Sequence, residues 1–528
     1  MQIRPSFLSA LALLIIPWIN PVALGPSAAV LPWLVACWCA GALLLVQPPR
    51  EAGLVAGTWL ASALLSVVFG LIQYTGATAH LMGWINAAQP GEAFANLRQR
   101  NQFASLTNIG LLALVYLGQT RVGASHRFAI GAVAAAALLG VGNAASSSRT
   151  GLLQLMVLSG VLVFWGSWRL PAVRRLLLAS LAGYGLATMV LPLLIGAELG
   201  GSGILGRFNE RGAACQSRWV LWDNVLTLIA QKPWLGWGWG ELDYAHFITL
   251  YPGDANARFC DILDNAHNLP LHLAVELGVP FALAVCLALA GVVLWLRPWR
   301  DQNPARQLGW GVLLLIGLHS LLEYPLWYGP FQIAVGLCVL ILWQTHRQRG
   351  PAPAPAQPAA ARDETGGVAT LLGDVSPAPE GEVPHTASRM QKPIVHMTAS
   401  FLAIIIIAIV SYAMWDYHRI SQIYLIPSER SAAYRYNTLD KIRGSWLFQN
   451  HVQFAELTTT GVTAENAPYV YAQAQRLLHF SPEARVVEKL IDSATLLNLD
   501  DEVAFFKQRY QAAFPKAFAR WQASRPPR

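Results

Sequence analysis

Apolar and polar residues fall along this chain in long blocks, without the short alternation of a soluble domain. Eleven apolar runs can be counted, at roughly 6–22, 27–47, 53–72, 103–119, 127–142, 150–168, 176–196, 268–296, 307–322, 325–343 and 398–415. Most reach or approach the ~17–25 residues that a helix needs to cross a bilayer. The pattern predicts an all-α polytopic membrane protein of about 11 transmembrane helices. It also predicts a large extracytoplasmic loop at 197–267 and a small helical C-terminal domain.

The polar turns orient these spans. With the N-terminus in the cytoplasm, the short inward loops hold Arg50, then Arg121 and Arg127, then Arg169, Arg174 and Arg175. Arg297, Arg300 and Arg306 follow, then Arg347 and Arg349, so each inward turn carries the expected excess of cations. The same threading puts RQRNQ, SSSRTG, the loop 197–267 and LLEYPLWYGP on the outer face, where they read as one extracytoplasmic active site. Ala23-Leu24-Gly25 has the small-x-small form of a signal cleavage site. Pro26 disfavours cleavage and only Arg4 charges the preceding region, so the first run is expected to be retained.

Three zones follow. The membrane body, with its outer loop, runs from 1 to 343. The segment 344–397, opening with HRQRG and PAPAPAQPAAA, lacks apolar periodicity and reads as a disordered cytoplasmic linker. The run 398–415 carries the chain outward, and 416–528 forms an extracytoplasmic tail. In that tail 465–479, 482–497 and 501–513 have helical periodicity, with Ser481 and Asp500 as N-caps and Pro482 at a first helical position. Stacked helical hairpins of tetratricopeptide type and a plain helical bundle both fit this spacing.

Composition agrees: 54% of residues are hydrophobic and 12% charged, with a mean hydropathy of +0.40. The inward loops account for much of the +8 net charge, and no basic run of the kind that tracks a phosphate backbone is present, so no nucleic-acid partner is expected. Cys37, Cys39, Cys286 and Cys338 lie in apolar runs. Cys215 and Cys260 lie in the outer loop, where an oxidising exterior permits a disulfide; two free thiols are the alternative.

The sharpest motif is CDILDNAHNLPLHLAVELG, residues 260–278. It sets Asp264, Asn265, His267 and Asn268 at the mouth of a helix that enters the membrane. A histidine there can take a proton from an incoming hydroxyl or, as a cation, hold a phosphate oxygen. An interfacial histidine that only caps the helix is the plainer reading. His272 and Glu276, four apart, share a face and are expected to pair as structural glue. The spacing of Asp261, Asp264 and His267 could begin a metal site.

SRWVLWDNVLTLIAQKPWLGWGWGE, residues 217–241, opens a short helix bearing Arg218, Trp219 and Trp222 and ends in interleaved Trp and Gly. Arg offers a planar fork of donors suited to phosphate oxygens, while exposed Trp favours the headgroup layer. ANLRQRNQFAS contributes Arg98, Arg100, Asn101 and Gln102. SSSRTG places Arg149 at a helix opening whose amides favour anions. HSLLEYPLWYGP sets His319 and Glu323 four apart at a helix end, followed by Tyr324, Trp327 and Tyr328. Each signal is weak alone; together, on one face, they point to an anionic, lipid-borne substrate.

RQRNQFA, SRW with KPWLGWGWGE, the H-N-x-x-L-x-x-x-x-E-x-G string at His267 and LLEYPLWY resemble the bacterial protein O-oligosaccharyltransferases of the PglL type. These belong with the O-antigen ligases and polymerases. The resemblance covers roughly 5–345 and extends more loosely into the tail. It implies a GT-C-like membrane glycosyltransferase that uses no cofactor, metal or nucleotide sugar. Such an enzyme would move a preassembled glycan en bloc from an undecaprenyl-pyrophosphate carrier, within the inner membrane, to a serine or threonine hydroxyl of a secreted protein such as a pilin. Carried over, His267 would activate the acceptor hydroxyl, and Arg218 and Arg100 would hold the pyrophosphate. Arg98, Arg149, Asn101, Asn268, Asp264 and Glu323 are further substrate-binding candidates. An O-antigen ligase or polymerase, with a sugar hydroxyl as acceptor, is the alternative within the group. A lipid-linked glycan transporter is the alternative outside it, and it predicts charges spread through mid-depth and internal repeats.

Overall fold

Each of the eleven apolar runs folds as helix, because a backbone in hydrocarbon must satisfy its own hydrogen bonds. The computed structural model describes residues 5–23, 25–46, 51–81, 83–121, 125–196, 203–204, 206, 214–253, 257–347 and 386–525. In the membrane body these form α1 (Pro5–Ile19), α2 (Val30–Val46), α3 (Ala52–Tyr74), α4 (Arg100–Thr120), α5 (His126–Ala145), α6 (Arg149–Phe164) and α7 (Pro171–Leu194). The outer loop contributes α8 (Arg218–Gln231) and α9 (Leu242–Ile248). The body continues through α10 (Leu269–Leu277), α11 (Val279–Leu296), α12 (Pro304–Ser320), α13 (Gly329–Arg347) and α14 (Thr386–Ser421). Among the described residues, seven helices are long and apolar enough to cross a membrane, and α1, α2 and α6 are shorter apolar helices. The protein is an all-helical polytopic membrane protein.

α4 is the central post, buried over most of its length against α3, α5, α6, α7 and α12. α5 and α7 pack backbone to backbone. A Cβ at Gly140 would stand 2.0 Å from Ser180 O, and one at Gly183 2.3 Å from Ala137 O, so small residues set that approach. The run 268–296 is two helices, not one. Gly278, at φ +88°, separates them, and Trp234 O would lie 2.1 Å from a Cβ there. Segment 233–238 lies along this break, with Trp237 N donating to Val275 O (2.9 Å), Gly238 N to Glu276 O (2.9 Å) and Val279 N to Pro233 O (2.8 Å).

One end of the bundle gathers the arginine-rich turns. Trp165 Nε1 donates to Pro298 O (3.1 Å), Ser167 Oγ to Gln307 Oε1 (3.1 Å), and buried Arg306 donates to Asp301 Oδ1 (2.7 Å). The opposite end carries RQRNQ, SSSRTG, LLEYPLWYGP and the described part of the loop 197–267, joined through Gln99, Asn101, Ser148, Arg218 and Glu323; 197–202, 205, 207–213 and 254–256 lie outside the described residues. Arg4, Leu24, Arg50 and Arg349 lie outside the described residues, as does 348–385 of the linker; the flanking helices extend into the remainder, to Arg347 and from Thr386.

α14 packs on α2, and the Tyr417 hydroxyl donates to Ser27 O (2.8 Å). Its buried Asp416 accepts from Ser445 Oγ (2.9 Å), Trp446 N (3.2 Å) and Leu447 N (3.1 Å), fixing how the tail leaves the last span. The tail continues as α15 (Thr438–Ile442), α16 (Gln449–Thr459), α17 (Ala467–Leu478), α18 (Ala484–Leu496), α19 (Asp500–Ala513) and α20 (Pro515–Ala523). α16 packs on α17 and α18, and α18 on α19 and α20, the neighbour pattern of stacked hairpins. Phe247 of α9 completes the tail's core, Tyr244 stacks on His479 with ring centres 3.7 Å apart, and Glu241 Oε2 pairs with His479 Nδ1 at 2.7 Å. The tail is therefore docked on the outer loop.

Candidate active site

Glu323 is the hub of the site. It lies just past the end of α12, whose last turn caps onto it as Glu323 N donates to His319 O (2.8 Å). Its side chain is 6% exposed, yet both carboxylate oxygens are occupied by donors. Oε2 accepts from His267 Nδ1 (2.8 Å) and Gln99 Nε2 (3.0 Å); Oε1 accepts from Asn101 Nδ2 (3.1 Å) and from Arg218 Nη2. Arg218 Nη1 also donates to Leu322 O (2.5 Å). Burial alone would push the Glu323 carboxyl up. The His267 hydrogen bond and the Arg218 charge outweigh it and hold the group at about 2.

His267 owes its position to local strain and caps. Its φ is +50°, unusual for a residue with a Cβ, and its amide donates to Asn265 Oδ1 (2.8 Å). Asn268 is the N-cap of α10: its Oδ1 accepts from Leu271 N (3.1 Å) while its Nδ2 donates to Leu321 O (3.0 Å), tying the His loop to the Glu323 loop. Trp222 Nε1 holds Ala266 O (3.1 Å), and the Tyr324 ring meets the imidazole edge to face at 5.1 Å. An ionised carboxylate only accepts, so the Nδ1 atom carries the proton and Nε2 of a neutral His267 is left with a lone pair. The ring is 24% exposed, open enough to meet a hydroxyl.

Arg218 is the first residue of α8, capped by Ser217 Oγ, which accepts from Val220 N (3.2 Å). Cys215 and Cys260 are joined as a disulfide with Cα atoms 5.5 Å apart. The bridge clamps the strand of chain entering α8 to the one leading to His267. Arg149, first residue of α6, is exposed and has no hydrogen-bond or ion-pair partner among the described residues. Ser148, which caps that helix through Gly151 N (2.9 Å), also donates to Asn101 Oδ1 (2.6 Å), so Arg149 stands one residue from the hub's own network.

Other expected residues are placed differently. Arg98, at φ +60°, donates to Pro21 O (2.7 Å) and Asn20 O (3.4 Å), anchoring the α1–α2 connection. Arg100 pairs with Glu92. Asp264 is exposed on the rim, near enough to His267 for that ring's charge to act on its carboxyl. Asp261 accepts from Gln216 Nε2 (3.2 Å), and 260–268 is loop, so the three-residue spacing to Asp264 and His267 does not share a helix face. Among the described residues no three His, Cys, Asp or Glu side chains form a metal-binding group. His272 Nε2 and Glu276 Oε2 are buried 3.5 Å apart. Gln99 and Ser148 were not singled out from sequence; their signal was only adjacency, within RQRNQ and SSSRTG, to residues that were.

Comparison with known proteins supports the same reading. Residues 134–286 match the O-antigen ligase family, 93–117 the protein glycosylation ligase family, and 307–527 the C-terminal part of the virulence factor membrane-bound polymerases. A general O-oligosaccharyltransferase of Acinetobacter baylyi is 26% identical over 297 residues, 54% of this chain and 50% of that protein. A ComP-specific O-oligosaccharyltransferase of the same organism is 26% identical over 255 residues, 48% of this chain and 44% of that protein. The matches thus span about half the length of each relative. In motifs, helical body and relatives alike, this chain is similar to the bacterial protein O-oligosaccharyltransferases of the O-antigen ligase and polymerase group.

Proposed function

We propose that this protein transfers a preassembled oligosaccharide en bloc from an undecaprenyl-pyrophosphate carrier to serine or threonine hydroxyls of extracytoplasmic proteins such as pilins. It would do so in the bacterial inner membrane, with the N-terminus cytoplasmic and the site and tail periplasmic. The observation that carries this reading is the convergence on Glu323 of His267, Arg218, Gln99 and Asn101 at the membrane end opposite the arginine-rich turns.

In this mechanism Glu323 holds the imidazole with Nδ1–H toward itself, and His267 Nε2 takes the proton of the acceptor hydroxyl. The hydroxyl oxygen bonds to the anomeric carbon as the bond from that carbon to the phosphate oxygen breaks. The leaving pyrophosphate departs with its electron pair, and its growing charge is met by Arg149 and by the outward N–H groups of Arg218. Direct attack inverts the anomeric centre. Arg100 could join only by exchanging Glu92 for the phosphate. The residues present supply base, orienter and cations without calling on a metal.

Docking of the tail against α9 supports a protein acceptor, since it sets a folded extra domain beside the loop that carries Arg218 and His267. The test is intact-mass spectrometry of a pilin-like acceptor co-expressed with this chain in a host that makes a lipid-linked glycan but lacks its own ligase. A glycan-sized gain in mass supports transfer to protein. A bare acceptor with glycan on the lipid A core would instead favour the ligase.

A further inference from the structure

Below the hub, α6 and α12 leave an apolar furrow open to the membrane. The two helices are antiparallel: Ser167, just past α6, meets Gln307 near the start of α12, and Gln154 Nε2 donates to Leu315 O (2.8 Å) midway. At 100° per residue, Leu153, Gly160 and Met156 lie about 100–160° round α6 from Gln154, and Leu314, Leu321 and Gly317 lie about 100–160° round α12 from Leu315, in the same rotational sense. Antiparallel packing puts both flanks on the same side of the pair, and all six residues are exposed.

α11 does not fill this furrow. Its far end is tied to α6, through Trp165 Nε1 and Pro298 O, and the loop before α10 is tied to α12, through Asn268 Nδ2 and Leu321 O. Between these ties every residue from Leu287 to Trp295 is exposed. A Cβ built on Gly160 or Gly317 meets nothing within 4 Å. At its outer end the furrow reaches Arg149, the exposed cation that opens α6 and has no partner among the described residues, and Leu321, two residues from Glu323.

We propose that this furrow seats the polyisoprenoid chain of the donor, so that its pyrophosphate is delivered to Arg149 beside the hub. Charge decides the occupant: an apolar track ending in an exposed cation fits a long hydrocarbon ending in a doubly phosphorylated head. This inference rests on the transfer reading above.

The test uses the full chain in lipid nanodiscs, with Gly160→Phe and Gly317→Phe filling the furrow. Gly185→Phe, on exposed α7 where a Cβ also meets nothing within 4 Å, is the control. Donors with eleven and with two isoprene units are compared; the short chain cannot reach Gly160, about 16 Å along α6 from Arg149. The ratio of kcat/KM, long over short donor, should fall at least roughly tenfold in Gly160→Phe, as if about two methylenes were displaced. Gly317→Phe, about 5 Å from the outer end of α12 and within reach of both donors, should lower kcat/KM for both, and the control should change neither. An unchanged ratio in Gly160→Phe, or an equal fall in the control, overturns the proposal. If wild type transfers from neither donor, the transfer reading fails, and a diazirine-bearing polyprenyl pyrophosphate decides the furrow separately. Competable labelling of 149–164 and 304–321 supports it; labelling spread over all lipid-facing helices refutes it.

Discussion

His267 Nδ1 stands 2.8 Å from Glu323 Oε2, and the same carboxylate takes Arg218 and Asn101 on its other oxygen. One buried anion thereby orients the His267 imidazole and the Arg218 guanidinium together. Glu323→Gln keeps a carbonyl for one of these donors but removes the charge and offers an amide N–H to the other. Transfer should fall on the order of 10²–10⁴-fold, about as far as in His267→Ala, with the double variant no worse than either single one. Single-turnover rates of the three variants check this; additive losses would show that the two residues act independently.

The same carboxylate shapes acid stability. Its acidity in the folded state, about 2, lies below the ordinary glutamate value of 4.5. A depressed carboxyl contributes stability above the unfolded value, and that contribution is lost as pH falls from there toward 2. Thermal melting of the detergent-solubilised protein should drop between about pH 4.5 and 3, and less steeply in Glu323→Gln. Parallel slopes would sink the assignment of that charge to the fold.

The disulfide ties the two arms of the outer loop ahead of Arg218 and His267, across 45 residues. In the chain-entropy picture such a closure is worth at most about 4 kcal/mol. Replacing both Cys215 and Cys260 by Ser should cost transfer activity more than it lowers the melting of the membrane body, whose helices do not pass through the bridge. Limited proteolysis should show new cuts within 215–260; unchanged proteolysis with full activity would contradict this role.

Tail docking should weaken as pH rises. Asp243, at the start of α9, is pushed up to about 7 by burial, with Asp264 and Glu241 adding to the rise. A raised carboxyl stabilises fully below its unfolded value of 3.8, and the benefit is lost as pH climbs through about 7. Hydrogen exchange at α9 and α17 should therefore quicken, beyond its intrinsic pH dependence, between pH 5 and about 8 in wild type but not in Asp243→Asn. The same response in both would assign the effect elsewhere.

Hydropathy revealed the spans because burial in lipid is a property of each run by itself. The break at Gly278 was not legible, since its cause is the backbone of Trp234, more than forty residues earlier. Sequence likewise singled out His267 and Arg218 by residue type, but ranked Glu323 low because a carboxylate's place as hub exists only once four donors from three other segments reach it. Arg98 and Arg100 read as phosphate ligands for the opposite reason: an arginine's charge is visible in sequence, and the Pro21 carbonyl or Glu92 carboxylate that engages it is not.

The most direct test of the central claim is transfer by purified protein from a defined lipid-linked glycan to a serine-containing acceptor peptide, followed by intact mass. Wild type, His267→Ala and Glu323→Gln would be run with and without EDTA, with donor binding measured in parallel. The account predicts a glycan-sized mass gain in wild type that EDTA leaves intact, lost in both variants while donor binding persists. Transfer by His267→Ala at the wild-type rate, or none by wild type with either peptide or sugar acceptor, would contradict it.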